Sequence, residues 1–176
     1  GYAWLFFPPI ATTLVWFFLN SSGVVKVADT GMPYPAFVMI GTLLWQAFLE
    51  SLTKPITSLN GAKAMLTKLN FPRIAPVLAG IGQTTVTAAI RLVLLIPIFV
   101  FAGVEASWTI LFFPLAYLSM VLLGVAIGSF LTPIGLLYTD IARAIGLLGQ
   151  FAMYATPVVY PMATSGLLGE VNRFNP

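Results

Sequence analysis

The sequence predicts an all-α, polytopic helical membrane protein, and three observations carry that expectation. Hydrophobic residues make up 59% of the chain and charged residues 7%, with a mean hydropathy of +0.98, whereas soluble domains carry about 25% charged residues. Several apolar runs approach the roughly 20 residues that a spanning helix requires. None of them alternates polar and apolar residues with the period of two that marks an outer-membrane barrel. The 176 residues are read as one transmembrane domain with five spans.

The first span, 1–19, opens on "GYAWLFFPP". It has no charged n-region and no small-residue cleavage site, so it is not a signal peptide. With no initiating Met and an abrupt stop at "NRFNP", the chain is expected to be a piece of a longer protein. The connector "NSSGVVKVADTGMPYP" is rich in turn formers and leads to span two, 34–52. A long connector, 53–73, precedes span three, 74–101. The short turn "AGVEAS" leads to span four, 108–137, and "YTDIAR" to span five, 144–162. Orientation follows from the basic residues, which are retained on the cytoplasmic side. Lys54, Lys63, Lys68 and Arg73 lie in the 53–73 connector and Arg143 between spans four and five, against Lys26 and Arg173 on the opposite side. The 53–73 connector is therefore expected in the cytoplasm.

The spans hold many prolines, among them Pro97, Pro114 and Pro133. These fit the broken helices of a transporter, and equally the general abundance of proline in membrane helices. Gly124 and Gly128 sit four apart in "GVAIGSF", a spacing for close helix packing.

Composition excludes several chemistries. Cysteine and histidine are both absent, which removes disulfides, thiolate metal sites and His-based catalysis. The five carboxylates are scattered singly, so no metal cluster and no catalytic residue is expected. No "GxxxxGK[ST]" loop is present to cradle nucleotide phosphates. Nothing points to nucleic acid.

Between Pro55 and Pro72, Ile56, Leu59, Ala62, Met65, Leu66 and Leu69 recur at spacings of three and four. This is one face of a short amphipathic helix, with Lys63 and Lys68 off the stripe and Pro72 as its stop. Two readings fit it: a helix anchored on lipid headgroups, and a helix that docks on a partner.

"KLNFPRIAP", "LLYTDI", "YATPVVYP" and "PYPAFVMIGTLLWQAF", in this order and spacing, resemble the permease subunits of type-2 ABC exporters that carry polysaccharides such as O-antigen, capsule or teichoic acid across the bacterial inner membrane. Tyr138, Asp140 and Ile141 match a "YRDI"-like signature, with Thr139 in place of the usual arginine. Thr156, Pro157, Val158, Tyr160 and Pro161 match a "SPVxYP"-like one. Gly135 and Leu137 depart from the asparagine and arginine usual before "YRDI". Relative to that family, a basic N-terminal interfacial helix and a sixth span are missing.

The resemblance implies a homodimer embedded in lipid with two ATPase subunits, which would bind ATP and Mg²⁺ while this chain binds no cofactor and is not itself the enzyme. It makes the segment before "FPR" a cytoplasmic coupling helix. The implied ATPase contacts are Ser58, Leu59, Ala62, Lys63, Met65, Leu66, Lys68, Phe71, Arg73 and Asp140. The implied path for a lipid-linked polysaccharide is lined by aromatics of spans one and five, Tyr2, Trp4, Phe7, Tyr154 and Tyr160. The competing account of these rings is an interfacial belt or lipid-facing surface. Arg91, in mid-span, faces either anionic substrate groups or a structural partner such as Glu50, Gln83 or neighbouring carbonyls. A drug or lipid permease of the same type, a membrane scaffold without transport, and a membrane enzyme are the alternatives.

Overall fold

The computed structural model describes residues 7–23, 32–68, 72, 74–103, 108–138, 140–156 and 158–160. Six helices follow in order: α1 Phe7–Ser21, α2 Tyr34–Gly61, α3 Lys63–Lys68, α4 Ala75–Phe101, α5 Trp108–Leu137 and α6 Ile141–Ala155. The described residues contain no strand, and the protein is an all-α membrane protein. Three helical stretches are long and apolar enough to cross a bilayer, Tyr34–Gly61, Ala75–Phe101 and Leu111–Leu137. The other two expected spans, α1 and α6, have 15 residues each over their described parts, about 22 Å of helix against a hydrocarbon core of about 30 Å.

Prolines do not break these helices. Pro8 and Pro9 lie in the first turn of α1 and Pro76 in the first turn of α4, where a missing N–H removes no intrahelical bond. Pro55, Pro97, Pro114 and Pro133 lie inside α2, α4 and α5, which run through them. α2 therefore continues to Gly61, beyond the expected end at 52, and the break that separates it from α3 falls at Ala62 rather than at Pro55. With 28 residues, α2 is about 42 Å long, more than a hydrocarbon core of about 30 Å requires.

The chain divides into two compact units. One comprises Gly1–Trp45, Leu95–Glu105 and Gln150–Pro176, the other Gln46–Leu94 and Ala106–Gly149. In the first, Val38, Met153 and Val159 are buried, and Trp16, Tyr34, Phe37, Trp45, Val158 and Tyr160 pack around them. The Tyr34 hydroxyl donates to the Val159 carbonyl at 3.0 Å, which ties the start of α2 to the segment after α6. In the second unit α2 and α5 meet along a seam of small residues. A side chain at Gly124 would strike Ser51 Oγ, and one at Gly128 would strike the Leu52 carbonyl, so the expected close packing at this pair is present.

Hydroxyls inside the helices bond backward along their own backbones. Thr42 donates to Val38 O at 2.8 Å, Thr84 to Gly80 O at 3.0 Å and Thr132 to Gly128 O at 2.8 Å. These buried threonines thereby meet the need of a polar group for a partner in an apolar medium.

Candidate functional site

Two regions hold the candidate residues, one in each unit. In the second unit the region is built around Ala62, the joint between α2 and α3. Its N–H is shared by the Ser58 and Leu59 carbonyls at 3.2 Å each, and its own carbonyl accepts from Met65 and Leu66 N–H, both at 2.9 Å. Hydrogen bonding thus continues across the break. Ile56 and Leu59, the first members of the predicted apolar stripe, are buried within the unit. Met65 is 44% exposed, Lys63 and Lys68 are exposed, and Ser58, Ala62 and Leu66 are half-buried. The stripe therefore changes role along its length, from internal packing before the joint to open surface after it. Phe71 and Arg73 lie outside the described residues.

The same joint touches the end of α5. Asn60 Nδ2 donates to Gly135 O at 3.0 Å, and Lys63 Nζ to Leu136 O at 3.3 Å. The last four carbonyls of a helix lack intrahelical donors, and these side chains supply two. Gly135 permits the approach, because a Cβ there would strike Ile56 Cγ2; an asparagine at this position, the residue usual in the resembling exporters, would not fit against Ile56 as it stands. Asn60 escaped the sequence reading, since a lone asparagine beside a glycine looks like any helix end. In the turn after α5, Asp140 is exposed and accepts from its neighbour Arg143 at 3.3 Å.

Deeper in this unit, Arg91 Nη2 lies 2.7 Å from Glu50 Oε2. The Arg91 side chain is 6% exposed and that of Glu50 27%. Glu50 is one of the partners named from the sequence. Arg91 Nε has no hydrogen-bond partner among the described residues. Nearby on α5, the buried Tyr117 donates to Ala88 O at 3.2 Å, so α4 is held to α2 by charge and to α5 by a hydroxyl.

In the first unit, the rings of Trp16 and Tyr154 lie 6.3 Å apart and tilted by 36°, joining α1 to α6 through an aromatic pair. Tyr154 is 51% exposed and Phe7 61%. Tyr160 is half-buried, and its hydroxyl donates to Ala155 O at 3.2 Å. Trp16 is not among the path residues that the sequence resemblance implies. Tyr2 and Trp4 lie outside the described residues.

No family model matches the chain. The O-antigen export system permease protein RfbA of Myxococcus xanthus is 27% identical to it over 169 residues, 93% of this chain and 62% of the relative. The chain is similar to an export permease. The resemblance carried by the sequence motifs is borne out. The chain spans less than two thirds of the length of this curated relative.

Proposed function

We propose that the chain is the transmembrane permease subunit of an ATP-driven exporter that moves a lipid-linked polysaccharide across the bacterial inner membrane. It works as a homodimer, driven by separate ATPase subunits that hold ATP and Mg²⁺. The similarity to an O-antigen export permease along 93% of the chain is the observation that carries this reading. It is supported by α3, a short helix whose open residues, Met65 and Lys68, suit docking on a partner at the cytoplasmic face.

Docking through α3 rests chiefly on apolar burial. Burying Met65 is worth about 1.5–3 kcal/mol, whereas an exposed lysine pair contributes about 0–1 kcal/mol. Met65→Asp should therefore weaken association with the ATPase subunit by at least tenfold, and Lys63→Ala should leave it nearly unchanged. Co-purification of the full-length chain with its ATPase in mild detergent measures this. If both variants retain the ATPase equally, α3 is a lipid anchor rather than a docking helix. If no ATPase co-purifies with the unaltered chain, the transport reading falls.

The aromatic pair Trp16 and Tyr154, with Tyr160, forms part of the wall along which sugar rings pass. Apolar sugar faces stack on flat rings without fixing register, as a sliding polymer requires.

A further inference from the structure

We propose that Asn60 and Lys63 are positioning residues that fasten the α2–α3 joint to the C-terminal end of α5, so that force applied to α3 is delivered to the corner between α5 and α6. The inference rests on the reading of α3 as the helix that receives force from the ATPase.

The two side chains flank the joint. Asn60 is next to last in α2 and Lys63 first in α3, and they donate to adjacent carbonyls, Gly135 O and Leu136 O. The preceding carbonyl, Ile134 O, accepts from Tyr138 N–H at 3.0 Å. Three successive carbonyls in the last turn of α5 thus have donors, and two of those donors come from the joint. Lysine brings a full positive charge to the negative end of the helix dipole. A single contact between two helices would act as a pivot; two on neighbouring carbonyls, one from each side of Ala62, also resist rotation about it.

Close packing makes this link stiff. Gly135 is buried, and a side chain there would strike Ile56 Cγ2, itself on a fully buried residue. The axes of α2 and α5 therefore approach as near as backbone and side chain allow, next to the two hydrogen bonds. Only three residues separate α5 from α6, and Ile141 N–H donates to Tyr138 O at 3.2 Å across that corner. Displacement of the end of α5 must therefore be felt at the start of α6. The alternative route, back along α2 through the joint, passes through one residue, Ala62, whose N–H is divided between two carbonyls.

The test uses the full-length chain with its ATPase subunit and the double variant Asn60→Ala/Lys63→Met. The expected result is continued ATP hydrolysis by the bound ATPase and at least a tenfold fall in polysaccharide exported per ATP hydrolysed. Adding back the donor, as Asn60→Ala/Lys63→Arg, should recover a large part of that ratio, which a role limited to folding would not produce. On the purified chain, loss of the two donors should speed amide exchange in residues 134–138 about fivefold or more. Gly135→Ala should reproduce the uncoupling and Gly135→Ala/Ile56→Ala should relieve it. Export per ATP within twofold of the unaltered chain in the double variant, with ATPase bound, overturns the inference and leaves the proposed function standing. Unchanged exchange at 134–138 overturns it as well. A chain that binds no ATPase removes both.

Discussion

At Arg91 a guanidinium sits inside a spanning helix, where a lone charge costs about 2.5–3.5 kcal/mol on insertion scales. Glu50 at 2.7 Å offsets that cost. Removing either partner strands the other, at about 3–5 kcal/mol for a buried pair. Arg91→Leu and Glu50→Leu should each lower the melting temperature of the detergent-solubilised protein, whereas the double variant should melt closer to the unaltered chain than either single one. Additive losses in the double variant would show that the two charges do not rely on each other. The pairing was half legible in the sequence. Mid-span placement required a partner, and Glu50, Gln83 and carbonyls were the candidates. Gln83 lies eight residues back on the same helix, about 12 Å along its axis, so helix geometry alone argues against it. That Glu50 is the partner depends on the packing of α2 against α4, which no local pattern encodes. For the same reason Asn60 was invisible, because its acceptor lies 75 residues away in sequence.

Among the elements, α4 and α5 were the most legible, because turn formers bound apolar runs of suitable length on both sides. α5 occupies Trp108–Leu137 as expected. α2 runs past 52, the expected end of span two, because the apolar run stops there while the helix does not. A proline removes one hydrogen bond and crowds one carbonyl, and a buried setting can hold the helix together through it. α6 begins earlier than expected, at Ile141, directly after Asp140, a residue type favoured at helix starts. The α2–α5 seam yields a contrast between glycines. Gly128→Ala places a methyl group on the Leu52 backbone carbonyl and should destabilise by about 1–3 kcal/mol, as overpacking does. Gly82→Ala, with open space around the added carbon, should be neutral or stabilising by up to about 1 kcal/mol. Thermal melting of both variants in detergent decides this, and an equal response would mean that α2 and α5 are not in close contact at Leu52.

For the whole molecule, the membrane class was legible from composition, since 7% charged residues leave too little polar surface for a soluble fold. The placement of most candidate residues was not, because exposure is decided by neighbours distant in sequence. The Glu50–Arg91 pair also has a consequence for how the protein is made. Synthesis proceeds at about 5–20 residues per second, so α2 enters the bilayer several seconds before α4 has left the ribosome, and Glu50 waits there without its counter-ion. The hydroxyls of α4 bring their acceptors with them, in the carbonyls of the same helix; the carboxylate of α2 cannot. Nascent α2 is therefore expected to need shelter, from the insertion machinery or from water, until Arg91 arrives. Delaying translation after Glu50 has left the ribosome but before Arg91 has done so should raise proteolysis of the unaltered chain in pulse-chase labelling, and Glu50→Gln should abolish that sensitivity to delay even though it weakens the finished fold. Insensitivity of the unaltered chain to the delay would mean that Glu50 needs no shelter.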